Sequence, residues 1–176
     1  MTSTTFPELV ELSQYGGDSE QYLDGVYQIY LNEVVNGKLC FLNLPISCQY
    51  RPATHGKHFG FWHLISEGEK EDDREINFRR CERIRWIAHM LKNAHLGSIK
   101  CWENKRKRSR MVLLWHEAEN YLLVLERRPK YLLLKTAYVH HPNKAKKLKA
   151  EQEKSHDPRK AETATRTVSD TPSTTR

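Results

Sequence analysis

Three histidines fall within nine residues, in the segment His55-Gly56-Lys57-His58-Phe59-Gly60-Phe61-Trp62-His63. Imidazole takes up or releases a proton near neutral pH, so a pair of them can serve as base and acid in one reaction. Cleavage of RNA without a metal needs that pair. One group takes the proton of the 2′-hydroxyl and the other protonates the leaving 5′-oxygen. Hydrogen bonding of these rings to loop carbonyls explains any single histidine equally well. A zinc reading is weaker: His55-x2-His58-x4-His63 is not a helical histidine pair, and no Cys or carboxylate stands beside it at ligand spacing. No metal and no cofactor are expected.

The next group is cationic. Arg79-Arg80-Cys81-Glu82-Arg83-Ile84-Arg85-Trp86 carries four arginines in eight residues. A guanidinium holds a phosphate through two parallel hydrogen bonds and neutralises charge that builds on its oxygens. Arg80 and Arg83 are the candidates by position, and a solvated helix face is the plain alternative. The segment Lys135-Thr136-Ala137-Tyr138 adds a hydroxyl and a phenol. On a strand Thr136 and Tyr138 point to one side and Lys135 to the other, although both are also ordinary strand residues. Lys105-Arg106-Lys107-Arg108, with Arg110, reads as a basic hairpin tip able to track a phosphate backbone. Trp102 and Trp115 can stack bases, but sheet core is the favoured reading for both.

These residues must be held by a scaffold. Tyr22, Val26, Ile29, Tyr30 and Val34 recur at helical spacing and predict a helix over 18–36, capped by Asp18 or Ser19. A short helix from Phe6 to Tyr15 is expected before it, ended by Gly16-Gly17. Leu39 to Tyr50 reads as extended, with Pro45 marking an edge or an interruption. Arg51 to Gly60 reads as loop, Phe61 to Ile65 as a short apolar strand, and Glu67 to Asp73 as a solvated acidic connection. Cys81, Ile84, Ala88 and Leu91 place one apolar stripe on a helix over 74–94. Four strands follow, Ile99–Glu103, Met111–His116, Tyr121–Glu126 and Tyr131–Tyr138, joined by short polar turns as in a meander. The expected fold is α+β, with N-terminal helices on one face of a four-stranded antiparallel sheet.

The 176 residues carry a formal charge of +7, spread unevenly. Residues 1–50 hold one Lys and six acids, whereas residues 79–110 hold eleven Lys or Arg against Glu82 and Glu103. A local excess of that size favours a polyanion as partner, although basic surfaces also serve solubility. The four cysteines form no CxxC pair, and without a secretory signal they read as buried free thiols in a reducing cytoplasm. No apolar run reaches the length of a membrane span. The domain expected is 1–143. Residues 144–176 lack Ile, Phe, Trp and Tyr and read as a basic, mostly disordered tail, with an exposed helix over 145–154.

Taken together, Gly56-Lys57-His58-x-x-Phe61-Trp62-His63, Arg80-x-x-Arg83-Ile84-x-Trp86 and Tyr131-Leu132-Leu133-x-Lys135-Thr136-Ala137-Tyr138 resemble phage- and mobile-element-encoded proteins of the barnase–EndoU–colicin–RelE-like (BECR) nuclease fold. The resemblance runs from about Gly37 to Pro142. It implies a metal-independent endoribonuclease that forms a 2′,3′-cyclic phosphate, often acting as a toxin in the cytoplasm. It implies His58 and His63 as base and acid, Arg80 and Arg83 on the phosphate, and Thr136 and Tyr138 at the end of the sheet. Lys57, Lys105, Arg106, Arg108 and Lys135 would complete the RNA contacts. Arg80 and Arg83 are about 300° apart on a helix, so they neighbour each other, and only one need face the cleft. RNA is the partner so implied, with an antitoxin or host protein as a second. The alternative is a non-catalytic protein that binds nucleic acid or a host enzyme.

Overall fold

The structure, a computed structural model, describes residues 5–68 and 70–161. Helix α1 (Ser19–Ile29) starts where the Asp18 carboxylate accepts the amides of Glu20 and Gln21. It runs on into a π-helical turn, Tyr30–Val35, so the expected helical span holds with a widened end. The helix expected over Phe6–Tyr15 is only a 3-10 turn, Leu12–Tyr15, closed by Gly16 at φ +63°. The extended segment after Gly37 is a hairpin of β1 (Cys40–Phe41) and β2 (Leu44–Ser47). Its turn residues Leu42 and Asn43 both lie at positive φ.

Two corrections concern helices. Phe61–Ile65 is not a strand but part of α2 (Phe59–Ile65), a helix that buries Phe61, Leu64 and Ile65. An apolar run this short carries no periodicity that separates the two forms. The helix expected over 74–94 is broken into α3 (Phe78–Glu82) and α4 (Ile84–Lys92), because Arg83 at φ −101°, ψ 18° leaves helical geometry. Before it, β3 (Ser66–Glu67) and β4 (Glu75–Ile76) form a small antiparallel ribbon, where an acidic connection and the first residues of the helix over 74–94 were expected.

The remaining strands are β5 (Ile99–Arg106), β6 (Ser109–His116), β7 (Tyr121–Arg127) and β8 (Leu132–Val139). They form the expected antiparallel meander. The fold is α+β, but the sheet is not four-stranded. It is a mixed six-stranded sheet in the order β1-β2-β8-β7-β6-β5, with β2 parallel to β8 through Ile46↔Leu132 and Ser47↔Leu133. Beyond Leu133, among the described residues, no strand pairs with the edge of β8 opposite β7, and α2 and α3 pack against β8. A bulge between Val124 and Leu125 makes Lys135 the unpaired residue of β8, so Thr136 pairs Val124 and Tyr138 pairs Leu122.

Helices cover both faces of the sheet, not one. Val112, Leu114, Leu123 and Leu125 pack into the core shared with α1 to α4. Trp102, Leu113, Trp115 and Leu122 form a second apolar layer, so both tryptophans are core. Helix α5 (Pro142–Glu153) covers that layer with Leu148, which is buried. Glu151 accepts the Trp102 indole N–H at 3.0 Å. The exposed helix expected over 145–154 is therefore docked, and the chain stays ordered past it. Arg159 donates to the carbonyls of Ala94 and Ile99 at 2.6 and 2.9 Å. The disorder expected beyond Ala161 falls outside the described residues. All four cysteines are free thiols, with Cys40 exposed and the others buried. Burial pushes Cys81 and Cys101 up to about 12. Among the described residues no helix is long and apolar enough to cross a membrane.

The N-terminal segment is tied down by a second aromatic cluster. The Phe6 ring lies 4.4 Å from Trp86, 4.7 Å from His89 and 4.9 Å from His116. Burial holds both imidazoles below their ordinary value of 6.5, so folding favours the neutral rings. The unfolded chain then binds more protons than the fold, and stability rises with pH in this window. The expected result is a Tm that is level above pH 7 and falls as pH drops through 6.5. Thermal melts between pH 5 and 8 check it. His89→Asn with His116→Asn should flatten the acid limb.

Candidate functional site

The open edge of β8 gathers side chains from three parts of the chain. Arg80 comes from α3, a helix opened by Asn77, whose side chain accepts the Arg80 amide. Its guanidinium lies 5.0 Å from the Tyr138 ring centroid, a cation–π contact. One of its terminal nitrogens, Nη1, donates to the Ser66 carbonyl at 2.8 Å and reaches Thr136 Oγ1 at 3.4 Å. The other, Nη2, stands 3.8 Å from Glu67, whose side chain is largely in solvent. Nε is buried and has no partner. The Nε/Nη2 edge, the fork that grips an oxyanion with two parallel bonds, is therefore almost unused. Burial lowers the Arg80 pKa while Glu67 raises it, and the group remains a cation at any working pH. A cavity of about 90 Å³ opens between Arg80, Asn77, Glu67, Arg79, Tyr138 and Val139.

His63 lies on α2, whose C-terminal end feeds β3. Its Nε2 is 2.8 Å from Glu71 Oε2 and 3.1 Å from Oε1. A neutral ring in that bond carries its proton on Nε2 and its lone pair on Nδ1. The ring also packs on Phe59 at 4.4 Å. Burial lowers its pKa from 6.5, the Arg74 and Lys135 charges act the same way, and Glu71 opposes them. His63 is thus an imidazole oriented by Glu71 and held below its ordinary pKa by burial, within the field of Arg74 and Lys135.

Arg74 joins the two halves. It donates from Nη2 to the carbonyls of Ser66 at 2.7 Å and His63 at 3.3 Å, from Nε to Ser66 Oγ, and from Nη1 to Gly68 O. The Ser66 carbonyl therefore takes both Arg74 and Arg80. Gly68 sits at φ +151°, and a Cβ there would meet Arg74 Cα at 2.9 Å, so a larger residue would spring this clamp.

Tyr138 extends the site along the sheet. Burial raises its pKa, and Arg80 and Arg106 oppose the rise. The phenol keeps its proton at neutral pH and stands within the field of both cations. Arg106 begins the hairpin tip, where Lys105, Arg106, Lys107 and Arg108 are all exposed. Strands β5 and β6 run closer to the tip than expected, leaving only Lys107-Arg108 as the turn. The cations behind the tip are engaged: Arg127 is 3.0 Å from Glu103, and Lys135 is 3.7 Å from Glu126.

Of the residues expected to act together, Arg80, Thr136 and Tyr138 meet at this edge, Lys135 stands on the same strand, and His63 is tied to them through its carbonyl, which Arg74 holds. His58 and Arg83 do not join them. His58 is the N-cap of α2, five residues before His63 and turned about 140° from it. Its ring stands among Tyr50, Tyr27 and Tyr30 at 4.8, 5.7 and 6.0 Å. Lys57 is paired with Asp24 at 2.5 Å. Arg83, at the helix break, lies against Trp86 and binds the Arg79 carbonyl and Glu82. Sequence reasoning missed Glu71, Arg74 and Asn77. Glu71 lay in the acidic connection that read as solvated and Arg74 at the start of the expected helix, and the ribbon pairing of Ser66 with Ile76 brings Arg74 onto the Ser66 and His63 carbonyls. Asn77 before a helical pattern was a legible cap signal. Among the described residues no three His, Cys, Asp or Glu side chains converge as metal ligands. Comparison with family models, curated proteins and solved structures found no match.

Proposed function

We propose that this chain is a metal-independent endoribonuclease of BECR-like architecture, with the meander β5–β8 as its core, acting as a toxin or mobile-element effector. The observation that carries the reading is the convergence of the Arg80 guanidinium on Tyr138 and Thr136 at one open strand edge, with the His63 segment tied to Arg80 through Arg74, which shares the Ser66 carbonyl with it. His63 Nδ1 takes the proton of the 2′-hydroxyl as that oxygen attacks the adjacent phosphorus. The Nε/Nη2 edge of Arg80 holds the phosphate as charge builds on its non-bridging oxygens. The P–O5′ bond breaks, and Tyr138 gives its proton to the leaving oxygen. The products are a 2′,3′-cyclic phosphate and a 5′-hydroxyl. Thr136 positions Arg80 through its hydroxyl, and Lys135 adds positive potential.

The test is total RNA incubated with the protein in excess EDTA, with end-group analysis of fragments. Cyclic phosphate ends from wild type, and none from His63→Ala, are the expected result. Fragments with 5′-phosphates would contradict it.

The hairpin tip supplies affinity in this reading. None of Lys105, Arg106, Lys107 or Arg108 has an acid within ion-pair distance among the described residues. Replacing Lys105, Arg106 and Arg108 together with glutamine should weaken RNA binding and reduce the slope of log K against log salt by about two to three. Titrations at four salt concentrations check it. The same exposed tip favours a second reading, binding without chemistry. That reading predicts steep salt dependence, intact RNA and no effect of His63→Ala.

A further inference from the structure

We infer that helix α5 is a phosphate rail, which carries the RNA strand leaving the Arg80 cavity toward the basic hairpin tip through Lys144, Lys146 and Lys147. The inference rests on the nuclease reading above for the phosphate at Arg80 and adds the path of the strand beyond it. Both ends of the helix are fixed by the chain and its contacts. Tyr138 and Val139 line the cavity at Arg80, and α5 opens at Pro142, three residues after Val139. Three residues span at most about 11 Å, so the first turn of α5 stands next to the cavity. Tyr138 also packs on the apolar layer that receives Ala145 and Leu148 of α5. At the far end Glu151 accepts the Trp102 indole and the Asn104 side-chain amide. Asn104 directly precedes Lys105, the first cation of the hairpin tip. The 12 residues of α5, about 18 Å of helix, therefore bridge the cavity and the tip.

The charges on the helix are left for an outside partner. Lys144, Lys146, Lys147 and Lys149 are all exposed. Among the described residues none of them forms an ion pair, whereas Lys57, Lys100 and Lys135 each pair with a carboxylate. The acid nearest to them in the second half of the helix, Glu151, is turned onto Trp102 and Asn104 instead. Leu148, buried beneath the helix, and the Glu151 bonds hold the backbone, so the row of ammonium groups is in place before RNA arrives. The positive end of the helix dipole, at Pro142, faces the same side as the cavity and adds potential of the same sign. Ammonium groups on flexible stems contact phosphates as point charges and read no base. The rail therefore adds affinity and direction to the strand, without sequence preference.

The experiment uses the full chain and two 2′-O-methyl RNA probes, which lack the attacking hydroxyl and stay intact. One is a dinucleoside monophosphate, which fills the Arg80 cavity alone. The other is a single strand of about sixteen nucleotides, the upper end of single-strand site sizes. Binding is measured for wild type, Arg80→Ala, and the triple Lys144→Gln, Lys146→Gln, Lys147→Gln. A second triple, Lys38→Gln, Lys92→Gln, Lys160→Gln, removes the same charge from exposed lysines away from α5. Glutamine keeps helix propensity, and thermal melts confirm that each triple is folded. The expected result is that the α5 triple binds the long strand more weakly and the short probe as wild type does. Its slope of log K against log salt should fall by roughly two, at about 0.7 per lost contact on a single strand. Unchanged binding of the long strand by the α5 triple, or the same loss in the control triple, overturns the rail. If Arg80→Ala still loses the short probe in that case, the phosphate site stands. Binding of both probes that is indifferent to Arg80 would remove the nuclease reading, and the rail with it.

Discussion

Arg80→Ala is expected to lower RNA cleavage by roughly two to three orders of magnitude, the loss seen when one oriented donor to a developing oxyanion is removed. The fold should survive the change. The Ser66 carbonyl that Arg80 holds at 2.8 Å is also held by Arg74 at 2.7 Å, so no buried acceptor is left bare. Arg80→Lys keeps the charge but not the fork. Its single ammonium cannot give two parallel bonds while also holding Ser66 and Thr136, and most of the lost rate should stay lost. Single-turnover cleavage of a defined oligonucleotide, beside far-UV circular dichroism, checks both variants. Arg74 gives the contrast: Arg74→Ala unpins Ser66, Gly68 and His63 together, so it should lower Tm as well as rate.

The second large effect belongs to His63. His63→Ala should cost about two to four orders of magnitude in kcat/KM, the range for a positioned general base. A readout peculiar to base catalysis is the pH profile. Protonated imidazole cannot accept the 2′-hydroxyl proton, so the rate falls as pH drops through the His63 pKa. Burial, with the Arg74 and Lys135 charges, holds that pKa below the ordinary 6.5. The profile should therefore stay level from neutral pH to below 6.5 before it falls. Glu71 works in the opposite direction, stabilising the imidazolium. Glu71→Gln should then move the acid limb to still lower pH, while the looser ring lowers the plateau. A limb at or above pH 6.5 in wild type would show that His63 is not the titrating base.

The parts of the fold that could be read in the sequence are those with many residues per signal. Helix α1 shows its stripe from Tyr22 to Val34 and its Asp18 cap, and the meander shows four apolar runs with polar turns between them. The misses have physical causes. Seven residues of α2 are too few to display a period, and Pro45 and the positive-φ pair Leu42-Asn43 hide a parallel contact with β8 that only tertiary packing reveals. Leu148 alone marks the docked face of α5, and one leucine among lysines reads as solvent-exposed. The unbroken apolar stretches around Leu113 and Leu122 did carry a signal for a sheet buried on both faces. The candidate site was legible in residue type and not in partnership. His63, Arg80, Thr136 and Tyr138 stand out by their chemistry, but the short spacing of His58 and His63 in sequence does not bring their rings together in space. Their positions at opposite ends of α2 keep them apart. Glu71 and Arg74, which orient the base and clamp the ribbon, have no motif of their own.

One measurement tests the chemistry most directly. An RNA oligonucleotide with a single mapped cleavage position is prepared with 2′-deoxyribose at that position only, and cleavage and binding are both followed. Attack by the 2′-hydroxyl requires that cutting at this position stop while affinity stays within a few-fold of the parent strand. Continued cleavage at the deoxy position would mean that the nucleophile is not the 2′-oxygen, and would contradict the roles given to His63, Arg80 and Tyr138.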